Sequence, residues 1–440
     1  MVVAKSILVA LMASFGGFIV GVSLAWSGPI ESTKFIRATY VFQPSPMHWA
    51  FICSVIAVGA AIMCVPVGIM ISSFGRKPIM LGMVLPSIIG WALVIGAAHL
   101  SMMYIGRLLI GMGNGGIGVA VTIYNNEVAE LHMRGMLNCF FHLMLVHGIL
   151  YAYILGSCQD FQAYNFACGL LPLVYAAILM WVPESPVYLV QRNRDEKAQA
   201  ILQWLRGPDA NIEREMMAIK NRYQPDSYST KEALREKATM RSLLAVIGLI
   251  LFQQFTGFNA YVFYIKLMFR EDNYKASIEL CAVIFAIAQV VAAYVTALVI
   301  QKSERKLWLF ASGLMMLLAS ILLALNFQFL RDSDSKWLIA SASLMYSAGH
   351  SLGVGPLVWV VMIEMFSERA LPICVAIVST CSWIFALAIV AVFPFVIKSN
   401  TPALIFGVFA IFSCGGCIFT ITYIPETHSK SMRKIRSSLS

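Results

Sequence analysis

Three amides stand within seven residues of one apolar run: Gln253, Gln254 and Asn259, in the string QQFTGFNA. An amide donates and accepts hydrogen bonds without carrying charge. Among aliphatic and aromatic side chains it is costly unless it finds a partner. Two occupants meet that need: a neighbouring helix, with the amide as interhelical glue, or a neutral ligand rich in hydroxyls. Trp359 lies in another apolar run and adds an aromatic plane, against the plainer reading of a core-facing or lipid-facing Trp. His142 is the titratable group singled out inside an apolar run; as a free imidazole it would change charge near pH 6.5.

A second set is charged and sits at the ends of apolar runs. Arg76, Lys77, Glu127, Arg134 and Glu184 fall in the first half; Arg305, Lys306, Glu364, Arg369 and Glu426 fall in the second. Opposite charges at neighbouring helix ends pair when that side is closed and separate when it opens. The plainer reading is that they mark topology and solvate loops. Exposed pairs are weak singly, so a gate needs the whole network.

Catalytic and metal-binding patterns are missing from the sequence. No nucleophile–base pair or phosphate loop occurs, and His132 beside Glu130 has no second His at metalloprotease spacing. Cys414 and Cys417 form a CxxC in the middle of an apolar run, where they pack as small hydrophobes. Cys158 and Cys168 flank a short polar loop and could be bridged, against the plainer reading of two separate thiols. The reading is a protein that is no enzyme, needs no cofactor or metal and binds no nucleic acid.

The elements that must hold these residues are set by composition. The chain has 440 residues, 59% apolar and 12% charged, with mean hydropathy +0.77. A soluble domain carries roughly 25% charge. Apolar runs of about 20 residues recur, each long enough to cross a hydrocarbon core of ~30 Å as a helix. They are continuous, not alternating as barrel strands are. Twelve spans are expected near 7–27, 49–71, 79–98, 103–124, 136–156, 164–182, 242–263, 276–299, 307–328, 337–361, 372–395 and 402–424. The first has only Lys5 before it and reads as a retained span, not a cleaved signal. Residues 183–241 form the long hydrophilic stretch and read as short amphipathic helices on a membrane face. The net charge of +10 follows from loops: with the N-terminus inside, 23 of the 32 Lys and Arg lie inside, eleven of them in that stretch. Both termini are then cytoplasmic. The basic tail 427–440 suits a membrane surface.

The two halves repeat. Arg76-Lys77 and Arg305-Lys306 are 229 residues apart, Glu127 and Glu364 are 237 apart, and the Pro-Glu pairs beginning at Pro183 and Pro425 are 242 apart. Near-constant offsets argue for two similar six-helix bundles with a cleft between them. The expected divisions are a bundle at 1–182, a linker at 183–241, a bundle at 242–426 and a tail at 427–440.

These marks carry a resemblance. FGRK at 74–77, GRLLIGMGNGG at 106–116, PESP at 183–186, QQFTGFNA at 253–260, GVGPLVW at 353–359 and PET at 425–427 occur in order, each at its proper helix end. Over essentially its whole length the chain resembles a sugar porter of the major facilitator superfamily, nearest the insect trehalose-transporter-like branch. The resemblance implies that Gln253, Gln254 and Asn259 meet the sugar, with Trp359 against its ring, and that His142 stands where relatives carry Gln. It implies that the charged set gates the cytoplasmic side.

The chain departs from that family's pattern in places. Ser72 and Gln301 stand where acids are expected, Glu304 replaces a turn Gly, Val187 and Leu371 replace Arg, and the stretch 382–386 lacks the polar Asn-rich face of relatives. Arg76 and Arg305 are therefore expected to have fewer partners. Ile19 stands in span one where proton-driven relatives carry a carboxylate, which favours gradient-driven transport. Gly353, Gly355 and Pro356 interrupt span ten just before Trp359, as a hinge or as a static kink. The leading expectation is a facilitative plasma-membrane uniporter of trehalose or a hexose. The alternatives are a transport-inactive sugar sensor on the same fold, and a transporter of a less polar organic solute.

Overall fold

The computed structural model describes residues 3–30, 40, 42, 44–157, 160–208, 210–222, 230–270, 278–329, 336–397 and 402–428. Cys158 and most of the tail 427–440 lie outside the described residues.

Among the described residues, twelve helices are long and apolar enough to cross a bilayer. They are Lys5–Ile30, Pro46–Phe74, Arg76–Ile95, Leu100–Val128, Arg134–Gly156, Phe161–Trp181, Lys237–Ile265, Glu279–Val299, Arg305–Phe329, Trp337–Met365, Leu371–Ile397 and Ala403–Tyr423, called spans one to twelve. Each overlaps one hydropathy-predicted span; the ends differ by a few residues because helices run past the hydrocarbon into polar caps.

Within the first half, span one packs on span five and span two on span four; the halves meet where span two packs on span eleven and span five on span eight. Small residues allow this closeness. A Cβ on Gly111 would lie 2.1 Å from the Ile56 carbonyl oxygen, and one on Gly21 would lie 2.0 Å from that of Leu145. The exposed large side chains, such as Leu298, Ile411 and Trp181, point outward from the spans, as lipid-facing residues must.

The linker forms short helices at Pro186–Gln191, Asp195–Arg206, Ile212–Arg222 and Thr230–Arg235. The first three share a small apolar core that includes Val187, Leu202 and Ile219. Arg206 anchors them: its guanidinium donates to the Ser6 hydroxyl and the Val128 carbonyl, both at 3.0 Å, and pairs with Glu215 at 2.8 Å. The side carrying these helices is the linker face; the opposite side is the far face.

Two spans are broken, and both breaks face the middle of the molecule. Span seven, expected as one continuous helix, stops at Phe255 and restarts at Phe258. Gly257 between them has φ +92°, a left-handed conformation that favours glycine. Span ten passes through a π-helical turn at His350–Val354. Pro356 has no N–H for the Leu352 carbonyl; the Thr296 hydroxyl donates to it instead at 2.8 Å. Ser312 inserts nearby, accepting from the Val354 amide at 2.8 Å and donating to the Gly349 carbonyl at 2.6 Å. The interruption expected at Gly353, Gly355 and Pro356 therefore begins a few residues earlier, and neighbouring helices complete its hydrogen bonds.

Candidate functional site: a central cavity and the linker-face charges

The break in span seven shapes a cavity of about 120 Å³ between the halves. On an unbroken helix, residues five apart would point ~140° away from each other. Across the break, the Asn259 amide instead donates to Gln254 Oε1 at 2.5 Å. Gln254 Nε2 donates to the Ser382 hydroxyl at 2.7 Å. Span eleven, which looked bare in sequence, thus brings Ser382, and Ser379, to the cavity wall. Gln253 is turned toward span ten: its Nε2 donates to the carbonyls of Val354 at 2.6 Å and Gly355 at 3.1 Å, and its buried Oε1 has no protein partner.

All five cavity residues singled out from sequence line this one space: His142, Gln253, Gln254, Asn259 and Trp359. The first half adds Asn114, Asn138 and Phe141; the second adds His350, Phe258 and Trp383. His142 is therefore not alone as a titratable group in mid-span. His350 faces it from the other half, with ring centroids 5.7 Å apart, and stacks on Phe258 at 3.5 Å. The sequence signal for His350 was its place beside the Gly-Pro break, in an apolar run. Among the described residues lining the cavity there is no Asp, Glu, Lys or Arg. The chemistry on offer is neutral hydrogen bonding beside aromatic planes.

The volume is small against the ~300 Å³ or more of typical ligand pockets. Hydrogen bonds close the cavity toward the far face: Ser27 donates to the Phe263 carbonyl at 3.1 Å and Tyr153 to the Val262 carbonyl at 2.9 Å. Both join the halves. A larger cavity of about 430 Å³ lies at the linker face. Its wall is charged, including Arg134, Arg206, Glu215 and Glu368, which pair with one another, so it reads as the seam between linker and bundles.

The linker-face charges are arranged mostly within each half, not across them. In the first, Arg76 binds Glu127 with two bonds, Nη2–Oε1 at 2.6 Å and Nε–Oε2 at 2.8 Å, and Ser185 donates to Glu127 Oε2 at 2.5 Å. Glu184 accepts from the backbone amides of Arg76 and Lys77 at 3.1 and 3.3 Å, so it caps the start of span three. In the second, Arg305 approaches Glu364 at 3.3 Å, and Thr427 donates to Glu364 at 2.5 Å. Glu426 caps span nine by accepting from the amides of Arg305 and Lys306, both at 3.1 Å. Burial makes the Glu184 carboxyl harder to ionise than usual, against the amides that favour its charge.

The expectation that losing carboxylates at Ser72 and Gln301 leaves Arg76 and Arg305 short of partners is therefore corrected. Carboxylates from other helix ends hold both arginines, and each also donates to the carbonyl five residues before it, Ile71 or Ile300. Between the halves, Arg134 meets Glu368 at 3.8 Å, an acid that sequence reasoning did not single out. Arg107 was missed too. Counted by sequence with the outer residues, it is buried in the first half, donating to the Ser23 and Ile52 carbonyls at 2.8 and 3.3 Å and lying 4.9 Å from the Trp26 ring. The GR of GRLLIGMGNGG was its only trace.

Two six-helix bundles around an uncharged central cavity define a membrane carrier of the major facilitator fold. The chain belongs to the sugar (and other) transporter family, whose profile matches residues 9–439. It is 27% identical over 444 residues to the facilitated trehalose transporter Tret1 of Culex quinquefasciatus, covering 99% of this chain and 86% of that one. It is 27% identical to the protein of that name from Anopheles gambiae, but spans only 56% of its length. Among solved structures it is similar to the proton:xylose symporter XylE bound to 6-bromo-6-deoxy-D-glucose, with a TM-score of 0.84, 18% identity and 99% coverage of both chains. It also resembles the partially occluded inward-open xylose transporter XylE from E. coli, with a TM-score of 0.78 and 19% identity. At such identity these structures speak for the fold. A member of this family is a multi-pass membrane transporter, not an enzyme.

Proposed function

We propose that the protein is a facilitative uniporter for a sugar, trehalose or a hexose, working by alternating access. The observation that carries this reading is the cavity wall: amides, imidazoles and hydroxyls from both halves, beside Trp359 and Trp383, with no charged side chain lining it among the described residues. A sugar is neutral, carries hydroxyls at its edge and has apolar ring faces, so such a wall complements it. Ile19 is buried in span one and supplies no carboxylate to couple binding to a proton. Gln254, Asn259 and Ser382 form the polar chain that substrate hydroxyls would join, while Gln253 fixes the break in span ten.

In the same reading the linker face is cytoplasmic, by the excess of Lys and Arg there, the membrane is the plasma membrane and both termini are inside. The cavity is too small for a disaccharide as it stands, so entry requires the halves to part. Arg134–Glu368 is the ion pair that would separate on the linker side, and the Ser27 and Tyr153 bonds are those that would separate on the far side.

The test is tracer uptake of trehalose and glucose into vesicles, with and without a proton ionophore, beside Gln254→Ala at matched surface expression. Saturable, ionophore-insensitive uptake is expected, with affinity in the variant weaker by roughly tenfold, as for one or two lost hydrogen bonds. Ionophore-sensitive uptake would make it a symporter. Binding of a sugar without uptake would make it a receptor on the same fold. Neither uptake nor binding would move the substrate to a less polar solute.

A further inference from the structure

His142 and His350 come from opposite halves, yet their rings converge on one point. That point lies above Gly355. A Cβ built there would stand 2.6 Å from His142 Cε1, 2.9 Å from His142 Nε2 and 2.8 Å from His350 Cε1. Only glycine lets both rings come this close to the span-ten backbone.

Each ring carries a buried nitrogen without a partner. His142 is 7% exposed and its Nε2 has no hydrogen-bond partner; His350 is 4% exposed and its Nδ1 has none. Gln253 Oε1 is a third buried atom without a partner, on an amide whose Nε2 is tied to the Gly355 carbonyl beside the same point. A neutral imidazole nitrogen and an amide oxygen can all give a lone pair. Burial without a partner costs each of them free energy.

The ring spacing suggests what would satisfy them. Two imidazoles bound tetrahedrally to one Zn²⁺, at Zn–N of ~2.0–2.1 Å, hold their centroids roughly 5 Å apart. The centroids of His142 and His350 are 5.7 Å apart. We propose that His142 and His350 form a bridging site for a divalent transition-metal ion of the Zn²⁺ class, one ligand from each half, with Gln253 Oε1 and water completing the coordination. Imidazole is the ligand such ions prefer over Mg²⁺ or Ca²⁺. Among the described residues no cluster of three or more His, Cys, Asp or Glu surrounds such an ion, so the site is a reversible one of modest affinity, not a structural one.

The consequence follows from where the ligands sit. His142 belongs to span five and His350 to the break in span ten. An ion held by both opposes any separation of the halves, whichever solute the cavity takes.

The test needs no substrate. Tag-free full-length protein in detergent is titrated with ZnCl₂, following thermal stability and heat of binding, beside His142→Gln and His350→Phe. Gln keeps a polar side chain of similar reach, and Phe keeps the stack on Phe258; melting without metal checks that each variant folds. Stabilisation of the wild type in the micromolar range is expected, with affinity lowered roughly tenfold or more in each variant. Equal affinity in all three proteins would assign the ion to the other histidines and overturn the proposal. No stabilisation of the wild type would overturn it as well.

Discussion

The two linker-face clusters share one wiring diagram but not one tightness. Arg76, Glu127, Glu184 and Ser185 in the first half correspond to Arg305, Glu364, Glu426 and Thr427 in the second. In each, an arginine opens a helix, a glutamate from a later helix pairs with it, a hydroxyl holds that glutamate, and a second glutamate caps the helix start. The first pair is bidentate and buried, with side-chain exposures of 1% and 8%; the second makes one 3.3 Å contact, and Glu364 is 23% exposed. A guanidinium fork matched to a carboxylate is stronger and more directional than a single contact. Both halves therefore share the capping, while the ion pair of the second half is the looser of the two.

The sharpest way to break this comparison is to remove each paired glutamate. Glu127→Ala leaves the Arg76 guanidinium buried and uncompensated, with an expected cost of ~3–5 kcal/mol. Glu364→Ala removes a single contact to a partly exposed carboxylate and leaves Arg305 its bonds to the Ile300 and Ser303 carbonyls, and ~1–3 kcal/mol is expected. Thermal melting in one detergent measures both; equal losses would refute the difference in tightness.

The hydroxyls come next. Ser185 and Thr427 each donate to their glutamate at 2.5 Å. Ser185→Ala and Thr427→Val should cost alike, ~1–2 kcal/mol each. A clear inequality would show that the shared wiring is only geometric.

A smaller effect is expected at the cap. Glu184 has a raised carboxyl pKa, so the folded state binds its proton more readily than the unfolded chain does. Its contribution is present at low pH and is lost as the pH rises through the folded value. The melting difference between wild type and Glu184→Gln should therefore shift in favour of wild type on acidification from neutral pH. A pH-independent difference would mean that the amides cancel the effect of burial, and a shift the other way that they outweigh it.

The smallest effect belongs to Ser72→Asp. Ser72 is exposed, and Arg76 is already bidentate to Glu127. A change within ~0.5 kcal/mol is expected, as for most surface substitutions. A larger gain in stability would mean that Arg76 still lacks a partner.

The spans were legible because a bilayer imposes its thickness on every helix that crosses it. The repeat was legible because Arg76 and Arg305, Glu127 and Glu364, and Glu184 and Glu426 keep nearly constant separations. His350 was not, since a lone imidazole in an apolar run looks like any satisfied core residue until its neighbour from the other half is known. Glu368 was hidden in the same way: it sits beside Arg369 in a short turn, and only the approach of span five supplies Arg134. Gln254 and Asn259 point apart on an ideal helix, and Gly257 alone does not announce the break that joins them.

Hydropathy and charge in the sequence by themselves determined a twelve-span, two-bundle membrane protein, because these properties act locally, residue by residue, against a solvent of fixed thickness. Which glutamate holds which arginine, where spans seven and ten break, and that His142 faces His350 were decided only by tertiary structure. Arg76 and Glu127 are 51 residues apart in sequence and His142 and His350 are 208 apart, and helix packing, not local propensity, sets what meets across such distances.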